Sequence, residues 1–341
     1  MGVKITELVE PKIIEFSDLN NKILVVDAFN MLYQFITTIR QPDGSPLTDD
    51  SGNITSHLAG LFYRITNLMK MEMKLVFVFD GESHVLKFKE QERRSKLKSE
   101  ASEKYKEAVE AEDIDAMKKY ASRTARLTRE MIEESKELLS ALGIPIVQAP
   151  GEGEAQAAHM VKKGDAYAIV SQDADALLFG APRIIKNLSI SKKRKKTGKL
   201  GYDKVLPELI KNNEVLEKLG IDDEQLIILG ILVGTDFNIG GIKGIGPKKA
   251  LKLVKESDRN WNNLFEIVEW DFSYSWENVY DIFKNPNITN DYQLIWNEIN
   301  EEKIFDIMVK QHNFSEERVR NTIAELIKNK TKEQKGLSDF F

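Results

Sequence analysis

Four short apolar runs rich in β-branched residues punctuate the first half of the chain: Ile23-Leu24-Val25-Val26, Leu75-Val76-Phe77-Val78-Phe79, Ile144-Pro145-Ile146-Val147 and Tyr167-Ala168-Ile169-Val170. Continuous rather than alternating hydrophobicity marks strands buried on both faces, and helical patterns lie between the runs. Such a chain is confined to the α/β class, with a mostly parallel central sheet carrying helices on both faces. Residues 85–140 break this rhythm, being dense in Glu and Lys with almost no Gly or Pro, and they read as an extended pair of helices that project from the sheet or cap it. After about residue 205 strand signals fade, and helix-forming segments around one Gly-rich turn continue to about 330 as a second, helical lobe. Residues 329–336 are polar and read as a flexible tail ending in Leu337-Ser338-Asp339-Phe340-Phe341.

Three of the runs deliver an acid at or just past the carboxyl end: Asp27 after Val26, Asp80 after Phe79, and Asp173 with Asp175 after Val170. The run 144–147 leads through Ala149-Pro150-Gly151 into Glu152 and Glu154, and Asp236 follows a further apolar run. Ligands of open α/β sheets bind outside those strand ends, so the acids are expected to converge. Taken alone, an Asp at a strand end more often caps the next helix, and Asp27 before the helical run from Ala28 fits that reading directly. Seven such positions together need another account. Carboxylates in one crevice repel each other unless cations neutralise them, and oxygen ligands without His or Cys select Mg²⁺ or Mn²⁺ over Zn²⁺. Two ions about 3.5–4 Å apart can serve both the attacking and the leaving oxygen of a phosphoryl displacement.

The 341-residue chain carries a net charge of −5, which by itself argues against a polyanionic partner. Distribution says otherwise: residues 183–204 hold nine Lys or Arg against one acid, and 240–255 hold five Lys and no acid. The basic run Lys192 to Lys196 also fits a solvated loop or a nuclear localisation signal. The segment Gly240 to Ala250 reads as a Gly-bearing turn opening a helix, where Gly244 and Gly246 let backbone approach a phosphate while Lys243, Lys248 and Lys249 add charge. Lys87 and Arg94, seven residues apart, would point the same way from a helix after Asp80, although each alone is an ordinary surface charge. Tyr33 is more often a core residue than a base-stacking platform. Composition (42% hydrophobic, 30% charged) is that of a soluble globular chain, and zero Cys excludes a disulfide framework and thiolate metal sites. No apolar run approaches the length of a bilayer span, so a soluble cytosolic protein is expected. In the tail, Gln334, Leu337, Phe340 and Phe341 form a compact apolar anchor that would be costly for solubility without a partner.

Together Val25-Val26-Asp27-Ala28, Phe77-Val78-Phe79-Asp80-Gly81, Ala149-Pro150-Gly151-Glu152-Gly153-Glu154-Ala155, Ser171-Gln172-Asp173-Ala174-Asp175, Val233-Gly234-Thr235-Asp236-Phe237 and Gly244-Ile245-Gly246-Pro247-Lys248-Lys249-Ala250 resemble the XPG-type structure-specific 5′ nucleases, and within them the flap endonuclease branch of archaea and eukaryotes. The resemblance covers nearly the whole chain. It implies a PIN-like nuclease core over 1–205 with a helical arch at about 81–130, a duplex-binding helical region with a helix-hairpin-helix-type turn over 206–328, and a tail, 329–341, that binds the replication sliding clamp (PCNA). It further implies that Asp27, Asp80, Glu152, Glu154, Asp173, Asp175 and Asp236 hold two Mg²⁺ (Mn²⁺ substituting), that Lys87 and Arg94 contact the scissile phosphate, that Tyr33 stacks at the cut, and that a K⁺ sits near the Gly244–Ala250 turn. The expected activity is cleavage of 5′-flapped and branched DNA in Okazaki fragment maturation and long-patch base excision repair, with a 5′-3′ exonuclease activity, by a monomer in the cytoplasm of an archaeon or the nucleus of a eukaryote. Two rivals remain on the residues alone: an RNA-cutting PIN-like nuclease, which would need neither the Gly-rich turn nor the tail, and a non-catalytic clamp-bound scaffold, which would have lost acids.

Overall fold

The computed structural model describes residues 4–111, 113, 116, 120, 123–188, 193–195 and 202–338. Nine strands form within them: β1 (Lys12–Ile13), β2 (Ile23–Asp27), β3 (Lys74–Phe79), β4 (Ile146–Gln148), β5 (Ala168–Val170), β6 (Arg183–Lys186), β7 (Lys193–Lys195), β8 (Tyr202–Lys204) and β9 (Glu208–Lys211). Seven make one sheet in the order β1-β9-β6-β5-β2-β3-β4. The five strands from β6 to β4 run parallel, and β9 pairs antiparallel with both β6 and β1. The sheet grows outward from β2 in both directions, through β3 to β4 on one side and through β5 to β6 on the other, so the order reverses between β2 and β5. That switch point opens a crevice at the carboxyl ends of the strands.

Alternation along each strand sends side chains into two separate cores. Val25, Val76, Val78, Val147, Ile169 and Ile184 face one, shared with helices α4 (Gly153–Lys163), α6 (Asp223–Val233) and α7 (Pro247–Glu256). Leu24, Val26, Leu75, Phe77, Phe79 and Val170 face the other, shared with α1 (Ala28–Thr38), α3 (Arg129–Ala141) and α11 (Glu316–Ser338). A sheet covered on both faces explains why its strands read as unbroken apolar runs. The run Leu226 to Val233 is buried throughout within α6. Among the described residues no helix is long and apolar enough to cross a membrane.

Three expectations need correction and one is sharpened. The chain keeps adding to the sheet past residue 205, because β9 lies between β6 and β1, so the boundary at 205/206 falls inside the sheet. Its alternation, half-buried Glu208 and Lys211 around buried Leu209 and Ile210, is too short to stand out in sequence. The third strand begins two residues later than its apolar run, since Pro145 carries no N–H for a ladder. The helix pair at 85–140 divides its roles: α2 (Phe88–Glu110) is mostly polar and exposed, whereas α3 buries Met131, Leu138 and Leu139 in the core. Finally, the backbone expected to be a flexible tail continues α11 to Ser338, as Lys, Glu and Gln propagate a helix already formed. The side chains of Gln334 and Leu337, and residues Phe340 and Phe341, lie outside the described residues, as does most of 112–122. The Lys-rich segment contains a two-stranded hairpin, β7 with β8.

Candidate active site

Asp27 closes β2 and opens α1. Its Oδ1 accepts the Asn30 N–H at 3.0 Å, so the helix-capping reading is right. The same carboxyl is 6% exposed and stands in the crevice with other acids. Burial first, then the charges of Asp80 and Asp173, push it up to about 7. Asp80 follows β3, and its Oδ1 accepts the Gly153 N–H at 2.7 Å across the crevice. Its carboxyl also lies above its ordinary value, through burial and then Glu152. Glu154, one helical residue after Gly153, is pushed well up by burial, Asp175, Asp27 and Asp173 in that order. The Asp80–Gly153 bond and the charges that Asp27, Asp80 and Glu154 feel from acids far away in sequence show that the strand-end acids do gather.

Asp236 arrives from the helical region. After α6 the chain turns sharply at Gly234, whose φ of +106° and close approach to Gly240 and Gly241 leave no room for a side chain. Asn238 then knots the turn, accepting from Thr235 N and Oγ1 at 3.1 and 2.7 Å and donating to Ile231 O at 2.7 Å. Asp236 projects from this knot toward α2. Both of its oxygens accept from Arg94 Nη2, at 2.7 and 2.8 Å.

Lys87 closes a short 3-10 turn (Val85–Lys87) and Arg94 lies in the second turn of α2, so the two reach the crevice from successive elements rather than from one face of a helix. Lys87 Nζ donates to Glu152 Oε2. Burial draws the Lys87 ammonium down, but Glu152, Asp80 and Asp236 outweigh it and hold it above its ordinary value. The Phe237 ring lies beneath the ammonium, 5.8 Å to its centroid, with His84 against the ring edge. Tyr33 donates to Ala125 O at 3.3 Å, and Lys98 of α2 covers one face of its ring at 4.7 Å.

Sequence reasoning missed several members. Asn30 joins two acids, its N–H to Asp27 and its Nδ2 to Asp173 Oδ2 at 3.0 Å, while its Oδ1 accepts from Gln172 N at 3.2 Å. Ser171 Oγ lies 3.4 Å from Glu154 Oε1 and accepts from Asp173 N at 3.2 Å. Glu90, 3% exposed, accepts from Arg93 and Arg94. The last was legible as an acid four residues before Arg94 on a helix. Asn30 carried no such mark.

The donor set fits a hard divalent cation: carboxylate oxygens only, partly buried and raising one another's proton affinity. Among the described residues no three His, Asp or Glu side chains are drawn together as a ready metal cage. Glu152 and Asp236 point at Lys87 and Arg94, and Asp80 at a backbone amide, as expected of anions that share a crevice with donors. On the face of the sheet that carries α4, Gly246 caps α7 without a side chain and Gly244 holds φ +75°, so the first-turn N–H groups stand open beside exposed Lys243, Lys248 and Lys249.

Comparison with known proteins agrees with this geometry. The XPG N-terminal domain model matches residues 1–101 and the XPG I-region model residues 143–236. Flap endonuclease 1 of Hyperthermus butylicus is 51% identical over 331 residues, 96% of this chain and 95% of that protein. Its counterpart from Pyrococcus furiosus is 49% identical over 100% of this chain and 99% of that protein. The solved flap endonuclease-1 from Methanococcus jannaschii superposes with a TM-score of 0.77 at 41% identity, covering 97% of this chain and 100% of that one. The catalytic core of Rad2 in complex with DNA substrate gives 0.66 at 25% identity, covering 94% and 97%. The parallel sheet and the sequence it carries are thus those of an XPG-type nuclease. More narrowly, the chain belongs to the flap endonuclease 1 family, and its activity is that of a structure-specific flap endonuclease.

Proposed function

We propose that this crevice cleaves 5′-flapped and branched DNA at the junction of single strand and duplex with two Mg²⁺ ions held by Asp27, Asp80, Glu152, Glu154, Asp173, Asp175 and Asp236. Mn²⁺ substitutes in this reading. The observation that carries it is the mutual electrostatic contact of the acids at the ends of β2, β3 and β5 and at the start of α4, with Asp236 of the Gly234 turn joined to them through Lys87. When bound, the divalent ions supply the positive charge that in-line displacement at phosphorus requires on its attacking and leaving oxygens. Lys87 and Arg94 stand beside two of the acids, and their N–H groups orient the scissile phosphate and share the charge that develops on it. Asn30 keeps Asp27 and Asp173 in register. The Tyr33 ring stacks on the nucleotide at the cut, Lys98 moving off its face.

In the same reading α2 and the segment to about 130 form an arch admitting the 5′ single strand, and residues 206–328 hold duplex through the Gly244 to Ala250 turn, with K⁺ near it. The open N–H groups of α7 and the flanking lysines support that role, which is independent of base sequence. Gln334, Leu337, Phe340 and Phe341 bind the sliding clamp, which concentrates the enzyme at junctions during Okazaki fragment maturation and long-patch base excision repair. A monomer with an accompanying 5′-3′ exonuclease activity completes the reading, acting in the cytoplasm, which the archaeal relatives favour.

Asp175→Ala is expected to abolish cleavage of a labelled 5′-flapped DNA in Mg²⁺ while flap binding persists, and EDTA is expected to stop the unaltered protein equally. Normal turnover by the variant would reject the assignment of the acids. Deleting residues 334–341 should leave intrinsic cleavage intact and remove stimulation by the clamp; stimulation that survives the deletion would refute the tail's role.

A further inference from the structure

Glu90 lies in the first turn of α2 and outside the acid cluster, yet it is only 3% exposed. A buried carboxylate is costly unless its oxygens are paired. Here Oε2 accepts from Arg93 Nε at 2.7 Å, and Oε1 accepts from Arg93 Nη2 at 2.7 Å and Arg94 Nε at 2.5 Å. Burial pushes its carboxyl up, and the hydrogen bonds from Arg93 and Arg94 outweigh that, leaving it below its ordinary value and anionic. An exposed i,i+4 pair on a helix exchanges freely with water and contributes little. Glu90 has little water to exchange with.

Its grip falls on one edge of a planar group. Arg94 gives Nε to Glu90 and Nη2 to both oxygens of Asp236. Because the guanidinium is rigid and its donors diverge in fixed directions, holding Nε fixes where Nη2 points. We propose that Glu90 is a positioning residue for DNA cleavage, aiming Arg94 by its Nε so that the Nη2 edge faces the acid cluster where the scissile phosphate lies. This rests on the reading of Arg94 as a phosphate contact. A phosphate oxygen and an Asp236 oxygen are both anionic acceptors for the same edge, so with Nε still held Arg94 passes from one to the other by a small turn. Freeing a long, flexible side chain at each encounter would cost rotamer entropy again. Arg93 completes the device by gripping both oxygens of Glu90, Oε2 alone and Oε1 together with Arg94, which holds that carboxylate away from the acid cluster.

The test is a double-mutant cycle on the full-length protein. Glu90→Gln keeps the shape and removes the charge, Glu90→Asp keeps the charge and retracts the acceptor, and Arg94→Ala removes the aimed group. Single-turnover cleavage of a 5′-flapped DNA is measured with enzyme in excess and Mg²⁺, alongside flap affinity in Ca²⁺ and the thermal midpoint. Misaiming one electrostatic donor should slow E90Q and E90D by about tenfold or more, short of the loss in R94A, with affinity and midpoint held. The E90Q/R94A double variant should cut no more slowly than R94A alone. Wild-type rates in E90D or E90Q beside a slow R94A would overturn the inference, and so would a double variant whose losses multiply, since Glu90 would then act through something other than Arg94. Should E90Q fold poorly, E90D decides on the same readings. Wild-type speed in R94A would instead remove the reading of Arg94 itself, and this inference with it.

Discussion

Glycine 153 sits where the two halves of the acid cluster meet. Its N–H donates to Asp80 Oδ1 at 2.7 Å, and a Cβ placed on it would lie 2.5 Å from that same oxygen. The space between α4 and the end of β3 therefore admits an amide hydrogen and nothing larger. Gly153→Ala must displace Asp80, whose carboxyl is boxed in by its neighbours. Misplacing a reacting group by about 1 Å costs on the order of 10²-fold, and the cleavage rate should fall by at least that much. Stability should move far less. Gly153 opens a helix and has no positive φ, so alanine recovers backbone entropy worth about 0.4–1 kcal/mol that offsets the local clash. Cleavage kinetics beside a denaturation curve check this: an alanine variant that cuts within about threefold of wild type would show that Asp80 has room to spare or no part in the chemistry.

At the scale of elements, the loop from Ile39 to Thr55 shows a carboxylate used for folding alone. Asp49 Oδ1 accepts from Ser51 N at 3.0 Å and Asn53 N at 2.8 Å; Oδ2 accepts from Asn53 Nδ2 at 3.0 Å and hydrogen-bonds His312 Nδ1 at 3.0 Å. Burial pushes the Asp49 carboxyl up, but the Asn53 and His312 bonds outweigh it and bring it from an ordinary 3.8 to about 2. A depressed folded-state value favours the folded protein above the ordinary value and loses that contribution as pH falls through the folded one, a window from about 4 down to 2. Urea midpoints of wild type and Asp49→Asn should therefore differ most at neutral pH and converge in this window; a gap constant down to pH 2 would deny the carboxylate that role. The same loop marks where sequence reading stopped. Strands β2, β3 and β5 and the acids at their ends were legible because continuous apolar runs and strand-end carboxylates are local patterns. Asp49 with His312, Gln156 with Thr289 and β9 were not, since each depends on a partner from a distant segment that no period announces. Asn30 and Glu90 fall between: their spacing is local, but their purpose appears only once Asp173 and Asp236 stand beside them.

For the whole molecule, the coupling of helical region to sheet runs through residues 286–300, which have no regular secondary structure and are bonded to the elements they cross. They leave α9 (Trp276–Lys284), which packs in the α4 core, and reach α10 (Glu301–Phe305), which packs in the α3 core, so they pass from one face of the sheet to the other. Side chains fasten them along the way. Gln156 of α4 donates to Thr289 O at 2.9 Å and accepts from Thr289 N at 2.8 Å; Tyr292 donates to Asp165 at 2.5 Å; Trp296 Nε1 donates to Leu75 O at 2.9 Å; Asn297 N reaches Gly143 O at 3.0 Å. Gln156 is completely buried and lies one turn from Glu152 on the helix that carries Glu154, so the strap anchors to the catalytic helix itself. Gln156→Leu keeps the volume but removes both hydrogen bonds to half-buried Thr289, each contributing about 0.5–1.5 kcal/mol net. Stability should fall by about 1–3 kcal/mol, and limited proteolysis should begin to nick the chain within 286–300 before the rest unfolds. Equal protease resistance in variant and wild type, with unchanged stability, would mean that the strap is held by its aromatic side chains and that the Gln156 clasp is incidental.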